Sequence, residues 1–292
     1  MALQENPAAD GSHKHHAMQC MEIWGHNGAA DYSADTPGLE VVVYSRPFES
    51  AERGGDIHYV TLCASGKLTR TILADVAGHG SEVDGIAQGL RDLLRKNINT
   101  FNQKRLVRDL NNQFTQFSDS AGAGAPTRFA TAVVATILSR RNILTLCNAG
   151  HPRPLFYCAK LGTWRLLSAE REAEGDLPLG LAPEVPYNQF ALPFLPGDIV
   201  MLYTDGLVEA RGADGEMLGE DGLLRLAEGL PVDSLKSASK EFNDRFEAFC
   251  AACPVNDDLT MLFLRHTGDI SKAYIIPRKL QSYGKLLGLI PV

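Results

Sequence analysis

Leu73-Ala74-Asp75-Val76-Ala77-Gly78-His79-Gly80 closes an apolar run with an aspartate and then breaks into glycine. The same pattern recurs along the chain: Gly54-Gly55-Asp56 ahead of a β-branched and aromatic run, Leu202-Tyr203-Thr204-Asp205-Gly206 at the end of one, and Asn256-Asp257-Asp258-Leu259-Thr260 at the start of another. An aspartate in a glycine-flanked turn ordinarily bonds its own backbone, so one such cluster would mean only a turn. Several at the edges of strand-like runs can converge on a hard divalent cation. Mg²⁺ and Mn²⁺ prefer oxygen ligands, and glycine lets the backbone come close.

Outward from 73–80, segments 57–64 and 68–74 read as strands joined at Ser65-Gly66-Lys67, a hairpin that feeds Asp75; 39–44 is a strand before them. Apolar residues spaced three and four apart, Val83, Ile86, Ala87, Leu90 and Leu94, then Leu106, Leu110 and Phe114, predict helices over 81–98 and 102–117. A Gly/Ala loop at 118–127 leads to strands at 129–138 and 143–148, with further strands at 155–158, 163–167, 190–192, 199–203 and 259–265. Segment 168–175 is charged and exposed, and 220–228 and 234–250 read as helices. Helical pairs interrupting runs of antiparallel hairpins predict an α+β fold; the strict βαβ alternation of a doubly wound parallel sheet is missing.

Composition frames the chemistry. The chain has 292 residues, 45% of them hydrophobic, enough for one large domain, and no apolar stretch approaches the roughly 20 residues of a membrane span. The start lacks a basic segment followed by an apolar core, and the six cysteines are scattered rather than framed, so a reducing cytoplasm is expected. A net charge of −7 argues against nucleic acid as a partner and repels an anionic substrate unless bound cations reverse the local sign. Residues 1–38, polar and broken by Gly, Pro, His and Asp, read as a mobile leader with a short ordered stretch at Met21-Glu22-Ile23-Trp24. The domain is expected over 39–266 and a tail over 267–292. The leader is too short for a sensor domain, so control is expected from partners, expression level or another subunit.

The order and wording of the aspartate clusters resemble the metal-dependent PP2C-type (PPM) serine/threonine phosphatases, in particular their bacterial SpoIIE/RsbU-like branch. The resemblance runs from about Pro47 to Arg265. It includes Asn148-Ala149-Gly150-His151-Pro152, Pro178-Leu179-Gly180-Leu181, Gly197-Asp198, and Glu209-Ala210-Arg211 with Gly215-Glu216. It implies an α-β-β-α sandwich, two packed and mainly antiparallel sheets with helices outside. It also implies two Mg²⁺ or Mn²⁺ ions: Asp75 bridging them, the Val76 carbonyl and Asp56 completing one shell, Asp205 and Asp257 holding the other. Two such ions about 3.5–4 Å apart lower the pKa of a water and clamp an in-line displacement at phosphorus, so no protein nucleophile is required.

Other residues are assigned more plainly. A histidine two residues after the bridging aspartate is proposed as general acid in the eukaryotic branch, but here Ala77 holds that place. His79 is either a helix-start residue or an assistant to the leaving alkoxide. Arg53, upstream of Asp56, could reach a phosphate with its guanidinium, although the branch generally lacks it. Asp258 either orients its loop, faces solvent or ligates; Asp198 reads as a turn before a strand, His151 as a loop-fixing hydrogen-bonder, and Glu209 and Arg211 as solvated rim residues. Cys250 and Cys253 lack the context of a redox or zinc motif and read as free thiols at a helix end. His13, His15 and His16 read as leader residues; the tail from Ile275 to Val292 could pack on the domain, dock a partner or touch a membrane surface, and its shortness favours packing.

These readings together predict a phosphoprotein phosphatase in signal transduction of the bacterial partner-switching style. By resemblance its substrate is a phosphorylated regulatory protein such as an anti-sigma-factor antagonist. A catalytically weak regulator that binds such a protein without hydrolysis is the rival, and loss of metal ligands would mark it. A hydrolase of small phosphate esters is a third reading, marked by equal efficiency on free phosphoamino acids.

Overall fold

The computed structural model describes residues 14–18, 22–63, 66–78, 81–98, 100–119, 128–168, 177–251 and 255–270. Its strands are β1 (Lys14–Ala17), β2 (Ile23–Trp24), β3 (Ala30–Thr36), β4 (Leu39–Arg46), β5 (Asp56–Cys63), β6 (Leu68–Val76), β7 (Ala130–Leu138), β8 (Ile143–Ala149), β9 (Leu155–Cys158), β10 (Thr163–Leu166), β11 (Gln189–Pro193), β12 (Ile199–Tyr203) and β13 (Leu259–His266). The α-helices are α1 (Ser81–Asn97), α2 (Gln103–Asp119), α3 (Asp205–Val208), α4 (Gly219–Ala227) and α5 (Leu235–Cys250).

Strand alternation sorts the apolar residues into layers. In β6, Ile72, Ala74 and Val76 face a core shared with Val83, Ile86, Leu90 and Leu94 of α1 and Leu106, Leu110 and Phe114 of α2. Leu73 points the other way, into a second core with Val43, Val60, Leu202 and Leu262. In β12, Val200 and Leu202 face that middle core while Met201 and Tyr203 face a third, filled by Phe242 and Phe246 of α5 and Leu223 of α4. Three stacked cores require four layers. The six-stranded sheet, ordered β11-β8-β7-β6-β5-β2, lies under α1 and α2, and the seven-stranded sheet, ordered β1-β3-β4-β13-β12-β9-β10, lies under α4 and α5. This is the expected α-β-β-α sandwich. All strand pairs are antiparallel apart from β1 with β3.

The expected mobile leader behaves otherwise. β3 pairs along its length with β4 through a turn at Pro37-Gly38, where Gly38 has φ 77°, and β2 adds to β5. Met18, Trp24, Tyr32 and Ala34 are buried in the core between the sheets. Trp24 stacks on His16 with centroids 4.2 Å apart, and both side chains bond Glu22 Oε1, at 3.1 and 3.0 Å. The folded unit therefore starts well before residue 39. The physical reason is that Ala30, Tyr32, Ala34 and Thr36 do alternate inward, but with small residues that give little hydrophobic signal, while Asp31, Ser33 and Asp35 intervene.

α3 is a single turn that sequence periodicity did not predict; from β4 onward the other α-helices and strands lie at the expected places, within a few residues at their ends. The expectations for His13, His79, Cys253, the segment 169–175 and the tail from 275 onward fall outside the described residues. Among the described residues no helix is long and apolar enough to cross a membrane.

Candidate metal centre

Asp56 opens β5 and Asp75 ends β6, and antiparallel register sets the two directly opposite each other. β12 and β13 are neighbours in the other sheet; Asp205 follows the first at the start of α3, and Asp257 precedes the second. Thr204 joins the two sheets at this point: its Oγ1 donates to Asp56 Oδ2 at 2.8 Å and accepts from the Thr260 N–H at 3.0 Å. Asp205 is near enough across the same gap for its charge to act on Asp75. The four aspartates predicted as ligands are thus gathered from both sheets at one end of the middle layer.

The glycines set how closely these segments approach. A Cβ on Gly54 would fall 2.3 Å from Asp258 Oδ1, and one on Gly206 would fall 2.2 Å from the Asp258 carbonyl. A Cβ on Gly55 would come within 3.0 Å of the Val76 carbonyl oxygen, the predicted backbone ligand, so this glycine keeps that oxygen accessible. Asp258 settles into one of its three roles: Oδ1 accepts from the Phe48 N–H at 2.7 Å and Oδ2 from the Gly55 N–H at 2.5 Å. Both oxygens hold the loop that leads into Asp56. Asp198 likewise clamps its turn, accepting from the N–H groups of Ala159 and Leu195 at 2.9 and 2.7 Å.

The electrostatics call for a cation. Burial pushes the Asp56 carboxyl well above the ordinary range, and Asp75 is raised by burial and then by the charges of Asp56, Asp205 and Asp257. Burial also raises Asp205, and lifts Asp257 to about 6. The common direction reflects four carboxylates buried close together, offset only in part by hydrogen bonds such as those from Thr204 to Asp56 and from the Asp258 N–H to Asp257. Asp56 Oδ1 is moreover buried with no hydrogen-bond partner. A bound divalent ion would reverse both conditions. Among the described residues no three His, Cys, Asp or Glu side chains could by themselves hold an ion. Water and the Val76 carbonyl would have to complete a shell here, as suits Mg²⁺, an ion usually bound by one or two carboxylates with water in its other positions.

The remaining sequence candidates sit around this centre. Arg53 is exposed, and its charge, after burial and Arg91, helps push the His26 imidazole down to about 4. His151 is buried and bonded through Nδ1 to Thr131 Oγ1 at 2.8 Å, its backbone bracketed by the Asn148 side chain at 2.7 and 2.8 Å. Burial holds its imidazole down at about 3, so it is a neutral loop-fixing group. Thr131 lies opposite Asp75 in register, which puts that support next to the predicted bridging ligand. Thr204 is the functional residue that sequence reasoning missed; a lone threonine beside an aspartate carries no signal of a bond between sheets. A cavity of about 390 Å³ opens beside Asp257, with Glu209, Arg211 and Met217 on its wall.

The profile of the stage II sporulation protein E (SpoIIE) family matches residues 65–267. The chain belongs to the SpoIIE family. Among curated proteins it is 29% identical over 140 residues to the phosphoserine phosphatase RsbU of Bacillus subtilis; that alignment covers 47% of this chain, which spans about two fifths of the relative's length (39%). Among solved structures, the RsbU and RsbW domains of a Mycobacterium tuberculosis protein superpose with a TM-score of 0.65 at 22% identity, over 89% of this chain and 72% of that one. RsbX in complex with magnesium superposes with a TM-score of 0.57 at 17% identity, over 81% of this chain and 99% of that one. At these identities the structures speak for the PP2C fold alone, and the SpoIIE profile spans every predicted ligand except Asp56.

Proposed function

We propose that this SpoIIE-family chain is a Mg²⁺- or Mn²⁺-dependent phosphatase that hydrolyses phosphoserine or phosphothreonine on a regulatory protein in the cytoplasm. The observation that carries the reading is the convergence of Asp56 and Asp75 from one sheet with Asp205 and Asp257 from the other, raised together in pKa around an unpartnered Asp56 oxygen. Asp56, Asp75 and the Val76 carbonyl would hold one ion, and Asp205 with Asp257 a second, with water completing each shell. When bound, the ions supply a water of lowered pKa and positive charge for the phosphoryl oxygens. The chain's own residues do the positioning. Thr204 fixes the orientation of Asp56, Asp258 fixes the loop that carries it, and His151 with Thr131 braces the strand beside Asp75. With the four carboxylates neutralised, a phosphate dianion is admitted to an otherwise acidic protein.

The substrate we infer is a phosphorylated anti-sigma-factor antagonist, supported by membership of a family whose relatives include a phosphoserine phosphatase and an RsbU domain joined to an RsbW domain. The cytoplasm is supported by the six cysteines being scattered along the chain rather than spaced as a disulfide framework. The test is release of inorganic phosphate from a phosphorylated antagonist protein of the same organism, with Mn²⁺ and with EDTA. Release that needs Mn²⁺ is expected. Binding of the phosphoprotein without release would instead make the chain a regulator, and equal efficiency on free phosphoserine would make it a small-ester hydrolase.

A further inference from the structure

The cavity beside Asp257 is walled by direct continuations of two ligand-bearing segments. One wall leaves α3, where the Glu209 N–H donates to the Asp205 carbonyl at 2.9 Å, and then folds into a tight hairpin. In that hairpin Arg211 pairs antiparallel with Met217, and the Leu218 N–H closes on the Ala210 carbonyl at 2.8 Å. Arg211 Nη1 staples the tip by donating to the Gly215 carbonyl at 2.7 Å. The other wall, Val255 and Asn256, runs straight into Asp257. Neither wall can shift far without moving a metal ligand.

Met217 stands out on this wall. It is 54% exposed, whereas its neighbour Leu218 is buried in the core under α4 and α5. Alternation along the hairpin therefore turns Met217 outward, onto the cavity, where Ala210 and Val255 complete an apolar floor. The charged side chains of the lining beyond Asp257 are one of each sign, Glu209 and Arg211, so neither an acidic nor a basic guest is favoured. Methionine is a flexible, polarisable surface on which apolar guests of different shape can pack.

We propose that this cavity receives an apolar side chain of the phosphoprotein substrate, one or two residues from the phosphoserine, and that Met217 and Val255 select it. The proposal rests on the phosphatase reading, because only a phosphate held at Asp205 and Asp257 brings its neighbours over this floor. An extended chain advances about 3.3–3.6 Å per residue, so one or two positions span the step from the metal centre into the cavity. Met217 is on this account a specificity-determining residue, with no part in the hydrolytic step.

Two measurements on the full chain test it. The first is kcat/KM with Mn²⁺ on phosphoserine peptides that carry Leu or Ala at each position from two before to two after the phosphoserine, with p-nitrophenyl phosphate as a probe of chemistry alone. Leu is expected to exceed Ala by about tenfold at one position, the usual scale for apolar pocket discrimination. Met217→Gln is expected to remove most of that preference while shifting the p-nitrophenyl phosphate value far less. The second measurement follows the Met217 methyl resonance with Mg²⁺ as the Leu or Ala peptide is added. A shift produced by the Leu peptide and not by the Ala peptide supports the cavity whether or not turnover occurs. Turnover of p-nitrophenyl phosphate with no Leu preference and no Met217 shift overturns the cavity and leaves the phosphatase standing. A Leu-specific shift with no turnover of any ester keeps the cavity and overturns the phosphatase.

Discussion

Trp24→Ala separates a mobile leader from a structural one. Trp24 is 7% exposed; its indole stacks on His16, meets Tyr32 edge-on with centroids 5.5 Å apart, and donates through Nε1 to Glu22 Oε1 at 3.1 Å. Truncating a buried tryptophan to alanine costs about 3–5 kcal/mol in lost transfer energy and cavity. The aromatic pair with Tyr32 is part of that loss, of order 0.5–1.5 kcal/mol. At about 2–4 °C per kcal/mol for a domain of this size class, the midpoint should fall by roughly 6–20 °C. Thermal unfolding by circular dichroism and urea titration at constant slope read both quantities. A solvent-exposed leader residue would change stability by no more than about 0.5 kcal/mol. A Trp24→Ala loss within that bound would refute the burial of the Trp24 side chain in the core between the sheets. Tyr32→Phe is the companion: its hydroxyl is buried without a partner, so removing it should leave stability equal or higher, while Tyr32→Ala should cost as much as Trp24→Ala.

Asp75→Asn and Asp205→Asn should each abolish Mn²⁺-dependent phosphate release with an unchanged circular dichroism spectrum, since the amide keeps the volume and loses the anion; near-normal turnover in either would refute the ligand assignment. Thr204→Val should cost about 1–3 kcal/mol, read by urea titration, because it strips the buried Asp56 Oδ2 of its donor and the Thr260 N–H of its acceptor. A chain beginning at Pro37 should melt well below the full chain, because it lacks Met18, Trp24 and Tyr32 of the middle core; equal midpoints would show those strands to be dispensable. His26 is held at about 4 against 6.5 unfolded, so the unfolded state takes up a proton first as pH falls. Its contribution is intact above pH 6.5 and is lost by about 3 kcal/mol on going down to pH 4, and His26→Gln should flatten the stability profile in that window.

The sheets were legible where apolar residues recur in period two with large side chains, as in β6 and β12, and the helices where Val83, Ile86, Leu90 and Leu94 mark one face. The candidate centre was legible because each aspartate sits near a strand end, with glycine next to Asp56 and Asp205 and three residues after Asp75, a pattern that survives without knowledge of which strands are neighbours. What was hidden depended on partners distant in sequence. β3 hides its inward face behind Ala30 and Ala34, whose burial is visible only once β4 lies beside it. Asp258 could not be told from Asp257 by sequence, since their roles divide on distant partners: Asp258 accepts from the Phe48 and Gly55 N–H groups, about two hundred residues away, whereas Asp257 accepts, among the described residues, only from the adjoining Asp258 N–H.

That division explains how an acidic cluster can persist inside a stable sandwich. Carboxylates that must stay available to a cation can be satisfied by the protein only in part: Asp56 accepts from the Thr204 hydroxyl and Asp257 from the Asp258 N–H, and the buried charge beyond that weakens the fold. The surrounding structure offsets this with groups that are satisfied: Asp258 and Asp198 accept two backbone N–H bonds each, and Thr204 ties the sheets across the gap. The two kinds of aspartate are separated by the alternation of the chain. Asp257 and Asp258 are adjacent, so one turns toward the centre and the cavity beside it while the other turns toward the loop ahead of Asp56. Exchanging which of the two accepts from the Phe48 and Gly55 N–H groups would require moving β13 by one residue, which would invert Met261, Phe263 and their neighbours between the middle core and the core under α5. The packing of three cores thus fixes which carboxylate faces the candidate centre. Selection for a well-filled sandwich and selection for the site act through the same strand register.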